Sequence, residues 1–139
     1  MVEDKKWDCF TDEDWSRFAK KWLSGIREPG STEDIGDAVV LMNFSATAEQ
    51  QWQFILAALT HAQSDEELLH IAAGPIEHLV GWHGEQFIAR IEAEVENNPQ
   101  LARAMTGVLK YKMSDEIWRR VRILQSVIDN PLRAVNDNE

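Results

Sequence analysis

Residues 64–96 read SDEELLHIAAGPIEHLVGWHGEQFIARIEAEVE, and no other stretch restricts the fold as tightly. Apolar residues recur three and four apart, as on an amphipathic helix. Ser64-Asp65-Glu66-Glu67 has the form of a capping box that opens a helix. Gly74 suits a left-handed helix end, and Pro75 suits the first position of the next helix. The spacing predicts one helix ending at Gly74, a short one over 75–83 and a third over 85–97, with Asn98-Pro99 opening another. Three of the four histidines, His70, His78 and His83, lie in this stretch beside Glu77 and Trp82.

The flanking sequence repeats the same grammar. Thr11 followed by Asp12, Glu13 and Asp14 is an N-cap with acids where the helix dipole favours them. Trp15, Phe18, Ala19, Trp22 and Ile26 form its apolar stripe, ended by Gly25 and Pro29-Gly30. Ser31 or Thr32 is the expected cap of a second helix carrying Ile35, Ala38, Val39 and Met42, widened by Val40 and Leu41. Thr47 to Gln50 is another capping box, and the helix behind it is apolar nearly all round, the mark of a central helix. Asn98-Pro99 opens a helix through Val108, and Ser114-Asp115-Glu116 opens one with a seam of Ile117, Val121, Leu124 and Ile128. No alternating strand pattern appears. The expected fold is all-α, a compact bundle of about seven to eight short helices, with stacked helical hairpins as its variant. Residues 1–10 are expected as a flexible arm onto which Trp7 and Phe10 can fold, 11–130 as a single helical domain, and 131–139 as a flexible tail.

Charge narrows the functional classes. The net charge is −10, yet no Lys or Arg occurs between Arg27 and Arg90, a span holding ten of the acidic residues. Such a field repels phosphate backbones and attracts basic proteins, so direct nucleic-acid binding is not expected. The lone Cys9 excludes an internal disulfide. No apolar run reaches the roughly 20 residues of a membrane span. The start, MVEDKKWDCF, lacks the apolar core of a signal peptide, so a cytoplasmic location is expected.

The chemistry-bearing residues do not compose a catalytic motif. His78 and His83 are five apart, about 140° around a helix, and His70 lies beyond the Gly-Pro pair. Neither H-E-x-x-H nor a pair of Glu-x-x-His motifs occurs, so no metal or cofactor is expected. Glu77 is the one carboxylate worth naming as an acid or base, although an acid there also serves a helix N-terminus. No G-x-S-x-G, G-x-G-x-x-G or P-loop is present, and no enzymatic activity is expected. Among the six tryptophans, Trp82 lies between Gly81 and His83-Gly84 and is the one expected at the surface.

Ile71-Ala72-Ala73-Gly74-Pro75-Ile76-Glu77, with Leu79-Val80, His83-Gly84, Phe87-Ile88-Ala89-Arg90-Ile91-Glu92 and Asn98-Pro99, resembles a family of small bacterial proteins, domain of unknown function 6869. Ile76 stands in place of the more usual Leu, and His78 in place of an acid. The resemblance covers about residues 52–121, implies an all-α fold and carries no activity with it.

Together these features point to a small acidic protein-binding module, most concretely an immunity- or antitoxin-like inhibitor of a basic partner such as a nuclease. Its expected interface comprises Asp65, Glu66, Glu67, Glu77, His78, Trp82, His83 and Glu85. The alternatives are a self-associating structural or regulatory module and, behind it, an enzyme or metal protein built on Glu77, His78 and His83.

Overall fold

The capping signals are realised almost one for one. A computed structural model describes residues 3–31 and 35–132, with side chains from Lys6 onward. Thr11 caps α1 (Asp12–Arg27), exchanging hydrogen bonds with Asp14 in a full capping box. Thr47 does the same with Gln50 for α3 (Ala48–His61). Ser64, Asn98 and Ser114 accept the expected backbone N–H bonds ahead of α4 (Asp65–Ile71), α6 (Pro99–Met105) and α7 (Asp115–Ser126). The exception is α2 (Gly36–Ser45), which starts at Ile35 without a side-chain cap rather than at Ser31; Thr32 lies outside the described residues. Among the described residues there is no strand. The fold is all-α.

Packing clusters into two compact units, Met1–Gln63 and Ser64–Glu139. In the first, α1 packs on α3 through Trp15, Ala19, Trp22 and Leu23 against Phe54, Ile55 and Ala58. A short 3₁₀ helix, Glu3–Cys9, carries Trp7 back onto this pair. Trp7 is buried, stacks on Trp15 at 5.9 Å and meets Phe10 at 5.2 Å. Its indole N–H donates to Ser45 Oγ at 2.8 Å. Burial of a tryptophan with its one donor satisfied is worth more than the disorder it removes, so this part of the expected arm is structured. The expected tail from residue 133 onward lies outside the described residues.

The second unit departs from the expected helix count for one reason. Residues 72–76 form a π-helical turn that joins α4 directly to α5 (Glu77–Val95), with Pro75 inside it. Pro75 has no N–H to offer the carbonyl four residues back. One extra residue in the turn lets the N–H of Glu77 reach the carbonyl of Ala72 instead, and the rod continues. Gly74 therefore does not end a helix; the glycine with positive φ among the described residues is Gly30, at +83° beyond α1. The boundary expected at His83-Gly84 is present as a kink: His83 has non-helical backbone (φ −135°, ψ 24°), and the helical hydrogen bonding resumes beyond it within α5. The first two of the three expected helices join through the π turn, and the third follows the kink at His83. α4 and the π turn pack on α6, and α5 packs on α7. Leu68, Ile71, Ile76, Leu79, Val80, Ile88, Ile91, Leu101, Met105, Ile117 and Val121 fill the space between them.

Candidate functional site

The π turn sets the register of the helix that follows it. Glu77 is the first residue of α5, and its Oε2 accepts the backbone N–H of Leu109 at 2.9 Å. That bond ties α5 to the loop between α6 and α7. One turn further on, Gly81 faces the same loop: a Cβ there would overlap the Tyr111 carbonyl oxygen and lie 2.9 Å from Tyr111 Cδ2. Only glycine permits this approach. Gln125 holds the beginning of the loop from α7, its buried amide donating to the carbonyls of Met105 and Val108 at 2.9 Å each.

These ties present an aromatic surface. Trp82 is 51% exposed, while His78, one turn below on the same helix, is buried with its ring 5.9 Å away at 36°. Lys112 places its Nζ 5.1 Å from the Trp82 ring and 5.8 Å from that of Tyr111, within the range of a cation–π contact. Lys112 reaches this position with φ +57°, a left-handed conformation that a lysine adopts at a cost and keeps only where its surroundings demand it. Leu109 and Tyr111 are each partly exposed beside it in the loop. An indole half in water yet packed on two sides is a preorganised contact surface, suited to an apolar or cationic group on a partner.

The remaining residues expected at the interface are placed differently. Asp65 is paired with Arg103, at 2.7 Å and 3.3 Å from its two guanidinium nitrogens, and the same guanidinium donates to the Asn130 carbonyl. Glu66 is exposed, whereas Glu67 is buried at 3% in the first turn of α4 and is not presented to a partner. His83 is half-buried and Glu85 exposed. Of the acidic triad, only Glu66 is both exposed and outside the Arg103 pair. Among the described residues, no group of three or more His, Cys, Asp or Glu side chains is arranged to hold a metal ion.

The hydrogen bonds from Arg103 hold the Asp65 carboxyl below the ordinary aspartate value of 3.8. A group depressed on folding contributes stability above its unfolded pKa, and that contribution is lost as pH falls through the folded value. Proton-coupled NMR of the Asp65 carboxyl is expected to give a midpoint below 3.8, returning towards it in Arg103→Ala. Because the pair is solvent-facing, the accompanying loss of stability is confined to pH below about 4 and is small.

Sequence reasoning missed Tyr111 and Lys112. The sole tyrosine next to a lysine was a visible oddity, but nothing local says that this loop returns to Gly81. It also missed Ser16 and His61, whose Oγ and Nε2 lie 2.6 Å apart across α1 and α3. They border a groove of about 300 Å³ with Trp15, Gln53 and Leu56. Ser16 lies inside α1, where backbone N–H groups are committed to the helix, so this pair is a helix-to-helix hydrogen bond without the amide donors that acyl transfer needs.

Fold and surface together define an all-α protein built on a π-bulged helix with a braced, half-exposed tryptophan. The chain belongs to the family of unknown function DUF6869, whose model matches residues 29–127. The match is wider than the motif-bearing stretch and includes α2 to α7, Trp82 and the Tyr111 loop, while α1 and the Trp7 turn precede it. No curated protein and no solved structure matches the chain. Among the described residues, no helix is long and apolar enough to cross a membrane.

Proposed function

We propose that the protein is a small acidic protein-binding module that docks a basic partner on the surface around Trp82, in the manner of an immunity- or antitoxin-like inhibitor of a nuclease. The observation that carries this reading is the half-exposed indole held between His78 and Lys112. Aromatic anchors already fixed in place lose little entropy on binding and dominate interface energetics. A lysine or arginine from a partner would compete with Lys112 for the face of the indole. Glu66 and Glu85 contribute exposed negative charge, and the net charge of −10 steers a cationic partner during approach. Glu77 and His78 serve this surface from beneath, as positioning residues for the loop and the indole.

The test is capture of partners from a lysate of the source organism, with wild type and Trp82→Ala as baits, at low and high salt. A basic protein held in stoichiometric amounts, released by salt and bound at least about 30-fold more weakly by Trp82→Ala, is the expected result. Equal retention by both baits would remove Trp82 from the interface, and recovery of bait alone at both salts would refute the reading. Charge reversal at Glu66 and Glu85 should slow association and flatten its salt dependence.

A further inference from the structure

Lys112 is a cation with no carboxylate of its own. Two residues earlier in the loop, Lys110 pairs with Asp115 at 2.7 Å, whereas among the described residues Lys112 makes no such pair. What it meets is two rings. Its Nζ lies 5.1 Å from the centre of Trp82 and 5.8 Å from that of Tyr111, both inside the roughly 6 Å reach of a cation–π contact. The rings are brought together without its help, because the carbonyl and ring edge of Tyr111 face Gly81, the residue before Trp82. Met113, directly after Lys112, is buried. The lysine backbone is thus fixed on both sides at φ +57°, while its side chain is exposed and can swing. Trp82 and Tyr111 are 51% and 38% exposed with the ammonium in place, so swinging it away leaves two open faces around a space that fits one cation.

We propose that Trp82 and Tyr111 form a two-walled cation site that Lys112 fills from within, and that the group that displaces it is the guanidinium of an arginine. The inference rests on the reading above, in which a basic partner docks at Trp82, and names the side chain that the partner presents. A lysine would exchange one primary ammonium for an identical one, against an occupant already tethered in place. Guanidinium is planar and more weakly hydrated, and it stacks on an aromatic face as an ammonium cannot. The built-in occupant also sets a threshold, since the apparent affinity for any added cation is lowered by the fraction of time that the site is open. For a solvent-facing cation–π contact, removing the occupant should strengthen binding about two- to fivefold.

The probes are N-acetyl-arginine amide and N-acetyl-lysine amide, which carry equal charge, titrated at constant ionic strength while NMR follows the Trp82 indole N–H, assigned by its loss in Trp82→Ala. The arginine probe is expected to shift this resonance saturably with a midpoint on the order of 0.1 M, and the lysine probe at least about threefold more weakly. Lys112→Asn, with a residue that tolerates positive φ, should tighten the arginine probe about two- to fivefold. Tyr111→Leu should weaken it at least about twofold. Should Lys112→Asn fail to fold by circular dichroism, Lys112→Gly replaces it. Equal affinity for the two probes overturns the proposal, as does an unchanged midpoint without Lys112 or no saturable shift in that variant. The two readings fail separately. Probe binding in the expected order with no partner captured supports the site and removes the docking reading. A basic partner captured through Trp82 while neither probe binds removes the site and leaves that reading.

Discussion

Gly81→Ala is expected to destabilise the protein by about 1–2 kcal/mol, although alanine is the better helix former by about 1 kcal/mol. The new methyl group would overlap the carbonyl oxygen of Tyr111 and press on its ring. A carbonyl cannot rotate out of the way as a side-chain tip can, so the whole loop must shift. Loop displacement carries Tyr111 and Lys112 away from Trp82, and the Trp82 indole N–H resonance should move with them. Gly74→Ala is the matched control in the same rod, because nothing lies within 4 Å of a Cβ built there. It should be neutral or stabilising by up to about 1 kcal/mol. Urea denaturation of both variants measures the contrast. If both gain stability alike and the Trp82 resonance stays put, the loop is not pressed against α5 as described.

Gln125→Leu should cost about 1–3 kcal/mol. Gln125 is 4% exposed and its single amide satisfies two carbonyls, those of Met105 and Val108, at the point where α6 unwinds into the loop. Both carbonyl-bearing residues are buried; the Met105 carbonyl keeps the Val108 N–H as donor, whereas the Val108 carbonyl loses its donor, at about 1–3 kcal/mol. The denaturation midpoint should fall with little change in slope, since the buried area is conserved. A loss under about 0.5 kcal/mol would mean that water or a rearranged loop satisfies those carbonyls. The two substitutions approach the same loop from opposite helices, so their effects should not be additive.

The capping residues were legible because a cap is a local exchange: Thr11 with Asp14, or Thr47 with Gln50, needs only three residues of chain. The buried faces of α1, α3 and α7 were legible for a similar reason, since periodicity states which side of a helix avoids water. The exposure of Trp82 could be read from its glycine neighbours. Gly74-Pro75 misled the same local rules. Glycine at a helix end and proline at a helix start are each sound expectations, yet here a π turn carries the helix past Pro75, with the Glu77 N–H donating to the Ala72 carbonyl. What keeps that turn is packing: a Cβ at Gly107, just past α6, would lie 2.9 Å from Leu69 Cδ2 and 3.3 Å from Ala72 Cβ. Glu67, marked by its charge as a surface residue, is buried for the same kind of reason, being carried inward on the face of α4 that also holds Leu68 and Ile71.

By itself the sequence determined an all-helical chain, its caps, its core stripes, its acidic field and the one tryptophan left in water. The tertiary structure alone decided that two expected helices join through a π turn and that a loop some 30 residues away returns to set Lys112 over that tryptophan. Caps and stripes are settled by neighbours within a turn or two. A π turn, a left-handed lysine and a glycine under a carbonyl are settled by contacts between distant segments, which no local pattern encodes.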